Sequence, residues 1–282
     1  MNPTTRQAPD APATISSSTV CLRAEQLAVG YDSHPVVQGL TLELRAGQAL
    51  ALVGTNGAGK STFLKTIAGL QPPLAGRLEV LGTYPGGTSG RMAYLNQFQS
   101  SDLILPLRAA DVVRMGRFSA RGLLGRMTRE DDDLVIASMK RMQVDGLVNA
   151  PLRSLSGGQQ KRIYLAQILA RNADLLVLDE PTAGLDAAGK EVYAEALKKE
   201  MARGASIVVA THDIREAGTC DLVMLMARRV VALGPAREVI TPNALLETFG
   251  IILVSDAPGR GLAVVESEHG HDDDQAGPAG GD

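Results

Sequence analysis

The feature that most constrains this chain is the nonapeptide GTNGAGKST at residues 54–62. It overlaps the end of the apolar run ALALVG and leads into the run KSTFLKTIAGL, so it predicts a tight turn between a buried strand and a helix. The glycines allow the main chain to direct its amide groups inward, and the start of the helix adds a partial positive charge. This arrangement predicts a phosphate-binding loop.

The residue types in this loop suit the phosphate chain of a nucleotide bound with Mg²⁺. Lys60 supplies a full positive charge for the β- and γ-phosphates, and Ser61 offers its hydroxyl to the metal ion. A glycine-rich turn that fits the pattern by chance is the alternative, and the strand–turn–helix setting argues against it. The loop residues predicted to bind the nucleotide are Gly54, Thr55, Asn56, Gly57, Ala58, Gly59, Lys60, Ser61 and Thr62.

Polar side chains follow two further apolar runs. The segment LLVLDEP places Asp179 and Glu180 where a buried strand ends, which is costly unless a function requires them. We expect Asp179 to reach Mg²⁺ through its water shell and Glu180 to polarise an attacking water, with a helix N-cap as the alternative. His212 follows SIVVAT and is placed to contact the γ-phosphate, the alternative being a hydrogen-bonded core histidine.

A second helix start with anion-binding character occurs in the segment LSGGQ. Ser156 is suited to cap the helix, while Gly157 and Gly158 leave amide groups open to an anion. In isolation, helix capping alone is the favoured interpretation. If the segment belongs to a separate helical subdomain, it cannot share a phosphate with residues 54–62. Its residues are Leu155, Ser156, Gly157, Gly158 and Gln159.

Apolar runs that alternate with helical spacing predict an α/β fold with a mostly parallel sheet covered on both faces. From about Asp111 to Ala170 there is little strand signal and helical spacing dominates, which predicts an inserted helical subdomain with a connecting loop at Phe118–Met127. Residues 1–18 and those from about 266 have compositions typical of disorder. The predicted strands are Ala49–Gly54, Asp174–Pro181, Ser206–Asp213 and a pair joined by a tight turn within Asp221–Gly234.

The composition of the 282 residues narrows the function classes. A formal net charge of -3 argues against a nucleic-acid partner. Cys21 and Cys220 form no disulfide framework or C-x-x-C pair, so we expect small buried hydrophobes in a reducing compartment. The N-terminus lacks a secretory signal pattern, and no apolar run reaches the length of a membrane span. Any membrane role is therefore expected to involve a partner.

The motifs occur along the chain in the order GTNGAGKST, a Gln after an apolar strand, LSGGQ, LLVLDEP, GLD and THD. In this order they resemble the ATP-binding subunit of an ABC transporter, and the resemblance covers about residues 20–250. The resemblance implies a RecA-like P-loop ATPase core, an N-terminal antiparallel β part and an inserted helical subdomain. Residues 1–18 are then an arm and 251–282 an extension. The ABC domain is 19–250, with its core at 19–97 and 171–250 and its helical subdomain at 98–170.

The resemblance also assigns individual roles. Tyr31 matches the aromatic residue that stacks on adenine, and Gln97 in MAYLNQ matches the glutamine that senses Mg²⁺ and links to the transmembrane partner. Asp186 matches the residue that communicates across a dimer, and His212 the switch histidine. The implied cofactors are ATP and Mg²⁺, with catalytic residues Glu180 and His212. The Mg²⁺ ligands are Ser61, Gln97 and Asp179.

By the same resemblance, two copies enclose two ATP molecules. Each ATP lies on Lys60 of one copy and under Ser156–Gln159 of the other. The homodimer docks on integral membrane permease subunits at the cytoplasmic face of the membrane, and an extracytoplasmic solute-binding protein takes part indirectly. Soluble ABC ATPases of translation control or DNA repair are another class. They are disfavoured because this chain has one domain and no heptad run.

The transported substrate is implied by two segments. The chain resembles importers of divalent metal ions, zinc or manganese, in the segments LILPLRAADVVRMGRFSARGLLGRMTREDDD and GPAREVITPNALLETFG. Importers of iron–chelate complexes are near neighbours and stay open as an alternative, whereas the first segment weighs against an exporter. His269, His271 and Asp272–Asp274 could bind Zn²⁺ or Mn²⁺ transiently, but a solubilising acidic tail is the favoured interpretation.

Overall fold

The computed structural model describes residues 19–88, 90–97, 106–121, 125–249, 251–254 and 263–266. The predicted N-terminal arm and the tail with His269 and His271 lie outside the described residues. The strands are β1 (Val20–Tyr31), β2 (His34–Arg45), β3 (Ala49–Gly54), β4 (Ala75–Val80), β5 (Met92–Leu95), β6 (Leu175–Asp179), β7 (Ser206–Thr211), β8 (Leu222–Met226), β9 (Val230–Pro235), β10 (Ile251–Val254) and β11 (Ala263–Glu266). The helices are α1 (Lys60–Ile67), α2 (Ala109–Arg121), α3 (Arg129–Arg141), α4 (Gly157–Ala170), α5 (Ala187–Ala202), α6 (Ile214–Ala217), α7 (Ala236–Val239) and α8 (Pro242–Phe249), with 3₁₀ turns at Asp145–Leu147 and Leu152–Ser154.

The central sheet has six strands in the order β5-β6-β7-β3-β8-β9. All neighbours are parallel except β9, which pairs antiparallel with β8 at the edge. Strands β3, β6 and β7 are buried along their whole length. Alternate residues of β3 face two different apolar layers, Leu50 and Leu52 packing into one and Ala51 into the other. The predicted mostly parallel α/β sheet is confirmed.

A second, antiparallel sheet has the order β2-β1-β4. Its first two strands are joined at Asp32 and Ser33, which both have positive φ angles of 45° and 66°. Such a two-residue turn matches the twist of a hairpin. The predicted antiparallel N-terminal part is confirmed, and its hairpin places Tyr31 at the end of β1.

The segment between β5 and β6 contains α2, α3 and α4, which pack on one another. Gly116 allows α2 to approach closely, because a Cβ atom there would lie 2.2 Å from the carbonyl oxygen of Gln167. Buried Arg117 donates from Nε to Asp131 at 2.8 Å. Its Nη1 donates to the carbonyl oxygens of Ala170 and Arg171 at 3.1 and 2.9 Å, at the end of α4. These contacts hold the three helices together.

The predicted loop at Phe118–Met127 is wrong in its first part, because α2 continues to Arg121. Good helix formers such as Arg117, Ala120 and Arg121 carry the helix beyond the glycine at 116. Residues 122–124 lie outside the described part of the chain. Among the helices of the described residues, none has both the length and the apolar character needed to cross a bilayer.

Cys21 is buried and Cys220 is partly buried. Burial raises the pKa of the Cys21 thiol to about 11 and that of Cys220 to about 12. Because the thiolate is the reactive form, neither group is activated as a nucleophile at neutral pH. This agrees with the expectation that they act as small hydrophobes.

Candidate functional site

The strand order brings four motif-bearing segments to one edge of the central sheet. Strands β5, β6, β7 and β3 are neighbours in that order and run parallel, so their carboxyl ends lie side by side. Gln97 follows β5, Glu180 follows β6, His212 follows β7 and the loop at 54–62 follows β3. Ligands of open parallel sheets bind outside the carboxyl ends of the strands.

The loop after β3 wraps around the ammonium group of Lys60. This side chain is 6% exposed, and its Nζ donates to the carbonyl oxygens of Gly54 at 2.6 Å and Thr55 at 3.0 Å. Burial lowers the pKa of Lys60, whereas the charges of Glu180 and Asp179 raise it. Gly59 has a φ angle of 104°, and a Cβ atom there would lie 2.8 Å from the Val37 side chain. The loop therefore requires glycine at this position.

The loop forms one wall of a cleft of about 450 Å³. At one side stands Tyr31, whose side chain is 48% exposed although aromatic groups are usually more buried. An exposed ring beside a phosphate loop is suited to stack on a flat base. The residues that line the cleft are Tyr31, Val36, Asn56, Gly57, Ala58, Gly59, Lys60, Ser61, Thr62, Gln97 and Glu180.

Asp179 has the environment of a metal-associated carboxylate. It is 1% exposed, and its Oδ2 atom is buried without a hydrogen-bond partner among the described residues. Burial raises the pKa of Asp179, whereas a hydrogen bond from Ser61 and the charge of Lys60 lower it. A carboxylate oxygen without a donor, beside a hydroxyl, fits Mg²⁺, which prefers oxygen ligands and few carboxylates.

This environment predicts that Asp179→Asn makes the nucleotide-free protein more stable, although it removes the carboxylate that suits Mg²⁺. The raised pKa means that the folded chain loses stability as the pH rises from the ordinary aspartate value through the raised one. Asparagine removes the buried charge, so the free energy of unfolding of the nucleotide-free protein rises by about 1 kcal/mol at pH 7. Urea unfolding measures this. Asp133→Asn on the exposed face of α3 is the control and is expected to change nothing; a less stable Asp179→Asn protein would contradict the prediction.

Glu180 is held by three separate elements. Its φ angle is 45°, a value uncommon for residues other than glycine and often found at functional sites. Its amide donates to the carbonyl oxygen of Ala210 at 3.0 Å, and its own carbonyl oxygen accepts from Lys161 Nζ at 3.2 Å. Its carboxylate accepts from Gln97 Nε2 at 3.3 Å. The strained main chain thus directs the carboxylate into the cleft.

The segment before Gln97 is shaped by Asn96. The Asn96 side-chain oxygen accepts from the Gln97 amide at 2.9 Å and from the Tyr94 hydroxyl at 3.2 Å. Burial raises the pKa of Tyr94 to about 12, so this hydroxyl stays a donor. These bonds set the direction in which the chain leaves β5 and bring Gln97 to Glu180.

Ser156 begins α4 in a reciprocal capping arrangement. Its Oγ accepts from the Gln159 amide at 3.3 Å, and Gln159 Oε1 accepts from the Ser156 amide at 2.9 Å. Among the cleft-lining residues that the structure describes, none comes from Leu155–Gln159. Gly157 is exposed and its Cα faces open space. The motif therefore presents its amide end to the outside and away from the cleft of its own chain.

Asp186 and His212 each lie at the end of a regular element. Asp186 is the N-cap of α5, where its Oδ1 accepts from the Gly189 amide at 2.8 Å. His212 is exposed just after β7, at the same sheet edge as Glu180. The sequence analysis placed His212 directly after a strand, which is where it lies, whereas the capping position of Asp186 at the start of α5 is seen only in the structure.

Two charged groups, one buried and one part-buried, were not predicted from the sequence. Lys161 is 3% exposed and connects α4 to the main chain of Glu180. Glu216 bonds to threonines that flank the motifs with Glu180 and His212. The only local signal was their position, within the first turns of α4 and of the helix after His212, where a solvated charge is the usual interpretation.

Comparison with known proteins gives consistent matches. Residues 37–183 match the sequence profile of the family described as ABC transporter. The chain is 35% identical over 227 residues to the manganese transport system ATP-binding protein MntB of Bacillus subtilis (strain 168), covering 80% of this chain and 91% of the relative. It is 37% identical over 249 residues to the hemin import ATP-binding protein HmuV of Streptomyces coelicolor (strain ATCC BAA-471 / A3(2) / M145), covering 86% and 88%. The solved structure of cbiO1 from Clostridium perfringens, part of the ABC transporter complex cbiONQ, superposes with a TM-score of 0.68 at 27% identity, covering 82% of this chain and 94% of that one.

Proposed function

This chain belongs to the ABC transporter family, and we propose that it binds and hydrolyses ATP to power the import of a divalent metal ion, zinc or manganese. The observation that carries the ATPase part is the meeting of four motifs at the carboxyl ends of β5, β6, β7 and β3. A phosphate loop, a carboxylate suited to Mg²⁺ and a second carboxylate directed into the same cleft are the components of phosphoryl transfer to water.

Within one copy, the proposed binding roles follow from the cleft. Tyr31 stacks on the adenine ring, while Lys60 and the amide groups of residues 54–62 bind the phosphates. Ser61, Gln97 and Asp179 would hold Mg²⁺, which would supply positive charge to the bound phosphates. The core at 19–97 and 171–250 contributes all of these residues.

The proposed catalytic roles belong to Glu180 and His212. Glu180 orients and polarises the water that attacks the γ-phosphate, and its carboxylate already lies in the cleft beside Gln97. His212 donates a hydrogen bond toward the γ-phosphate from the adjacent strand end. Both groups act on the same phosphorus because β6 and β7 are paired neighbours.

A second copy completes the site in this proposal. The exposed start of α4, at Ser156–Gln159, contacts the γ-phosphate of an ATP bound to the phosphate loop of the other copy. Asp186, exposed at the start of α5, lies between the two sites and communicates across the dimer. Because ATP binds the closed pair better than the open one, ATP closes the dimer and loss of the γ-phosphate reopens it.

The helical subdomain, residues 98–170, is the proposed contact with integral membrane permease subunits. Helix α2 exposes Met115 by 39% and Phe118 by 48%, three residues apart on one helical face. Exposed large apolar side chains on one face are typical of a protein interface. The dimer then works as a peripheral unit on the cytoplasmic face of the membrane, with an extracytoplasmic solute-binding protein acting through the permease.

Relatives supply the support for the metal substrate. The manganese system protein matches over most of both chains, and so does the hemin protein, so import of an iron chelate is the second candidate. A soluble ABC ATPase without a membrane partner is the candidate of another class. Two measurements separate these three functions, and both use the full chain.

We expect the full chain to co-purify with integral membrane permease subunits when it is isolated from its own cells. In vesicles with Mg-ATP inside, the assembly is expected to accumulate radioactive Mn²⁺ or Zn²⁺ and no ferric chelate. Lys60→Ala is the inactive control, because it removes the phosphate-binding charge. Accumulation of the ferric chelate alone would transfer the assignment to chelate import, and an ATPase that never co-purifies with a membrane protein would support the soluble class.

A further inference from the structure

Glu216, in the short helix α6, uses one carboxylate oxygen to join two segments of the active-site edge. Its Oε2 atom accepts from the Thr211 hydroxyl at 2.7 Å and from the Thr182 hydroxyl at 3.2 Å. Thr182 is separated from Glu216 by 34 positions in the chain, so the contact exists only in the folded protein. Both threonines are buried, at 8% and 1% exposure for Thr182 and Thr211.

The two threonines belong to the segments that carry the proposed catalytic groups. Thr182 follows Glu180 by two residues, and Thr211 directly precedes His212. The Thr211 hydroxyl also accepts from the amide of Asp213 at 3.0 Å, so one hydroxyl bonds on both sides of His212. Glu216 thereby fixes the main chain around His212 relative to the main chain just after Glu180.

The surroundings of Glu216 show that its carboxylate is set inside the protein. Burial raises the pKa of Glu216, while the hydroxyls of Thr211 and Thr182 lower it. Tyr193 is 3% exposed, and its hydroxyl and the second carboxylate oxygen of Glu216, Oε1, are both buried without a hydrogen-bond partner among the described residues. Burying a carboxylate costs folding free energy, so its retention indicates that its hydrogen bonds serve a function. Thr182 and Thr211 do not line the phosphate cleft, so nucleotide binding does not account for the carboxylate of Glu216.

We propose that Glu216 is a positioning residue for ATP hydrolysis, holding His212 in a fixed relation to Glu180 through Thr211 and Thr182. This inference rests on the proposed ATPase function. The rate of catalysis depends on the relative positions of the catalytic groups, because displacing one of them by about 1 Å can lower the rate about 10²-fold. Glu216 contributes nothing to the binding of adenine or phosphates, so its effect falls on turnover.

Two substitutions of Glu216 test this role. Glu216→Ala is expected to lower kcat by about 10- to 100-fold while KM for ATP stays within about threefold. Glu216→Gln keeps an oxygen with two lone pairs for both hydroxyls, so its kcat is expected within about threefold of the wild type. Glu195→Ala, on the exposed face of α5, is the control for loss of a glutamate and leaves kcat unchanged.

A double-mutant cycle distinguishes positioning from general stability. In a His212→Ala background, Glu216→Ala is expected to lower kcat by less than about twofold more, because the group being positioned is absent. A loss in that background equal to the loss in wild type would overturn the inference. So would a parallel rise of KM, or a Glu216→Gln protein as inactive as Glu216→Ala.

Thr182→Val and Thr211→Val keep the test valid if Glu216→Ala fails to fold. Each removes one hydroxyl and keeps the side-chain shape, so each is expected to lower kcat by about 3- to 10-fold at unchanged KM. Two variants with wild-type kcat would refute the role of these bonds. ATP hydrolysis by the wild type and its loss in Glu180→Gln are measured in the same series. If the wild type does not hydrolyse ATP, the proposed function is wrong. If it does and the Glu216→Ala protein is fully active, only the positioning role of Glu216 is wrong.

Discussion

Replacing Glu180 by Gln is expected to lower the rate of ATP hydrolysis by about 10²- to 10⁴-fold while ATP remains bound. The substitution keeps the shape of the side chain and an acceptor for Gln97, so the cleft keeps its form. It removes the negative charge that polarises the attacking water. Because hydrolysis is what reopens the dimer in the proposed cycle, the variant should accumulate as an ATP-bound dimer.

Phosphate release and light scattering after gel filtration with Mg-ATP measure the two effects of Glu180→Gln. Glu191→Gln, exposed on α5, makes the same chemical change away from the cleft and is expected to behave as wild type. A Glu180→Gln protein that hydrolyses ATP at the wild-type rate would show that another group activates the water. A variant that loses ATP binding would show that the carboxylate has a structural role.

Gly157→Asp is expected to abolish hydrolysis and to leave ATP binding by the single chain nearly unchanged. A Cβ atom at this position meets nothing within 4 Å, and a carboxylate suits the first turn of a helix, so α4 itself is undisturbed. The new charge instead faces the γ-phosphate of the ATP on the other copy. At close range and low dielectric, two like charges repel by several kcal/mol, which prevents closure of the dimer.

Gly146→Asp is the matched control for Gly157→Asp. It adds the same charge to open space elsewhere in the helical subdomain and is expected to keep full activity. Mixing Gly157→Asp protein with Lys60→Ala protein gives a sharper result. One site of the mixed dimer then combines an intact phosphate loop with an intact Ser156–Gln159 segment, so hydrolysis returns although neither variant is active alone. Equal loss of ATP binding and hydrolysis in Gly157→Asp would contradict a shared site.

Much of the fold was predictable because its signals are local. A run of apolar residues before GTNGAGKST predicts β3, the loop and α1, and the same reasoning locates β6 and β7. The loop prediction at Phe118–Met127 failed where α2 continues to Arg121. The glycines that suggested a loop, Gly122 and Gly125, both come after Arg121, so the residues between Phe118 and Arg121 continue α2 without the cost of about 1 kcal/mol that a glycine inside a helix carries.

The identities of the phosphate loop, Asp179, Glu180 and the capped start of α4 follow from short motifs, because each depends on residues close together in the chain. The contacts among these groups do not follow from short motifs. Strand order places Gln97 beside Glu180, and the buried Lys161 and the part-buried Glu216 are joined to that edge by bonds between distant segments. Periodicity reports which face of an element is buried, whereas a hydrogen bond between two elements depends on their relative placement, which arises only when the sheet and its helices pack.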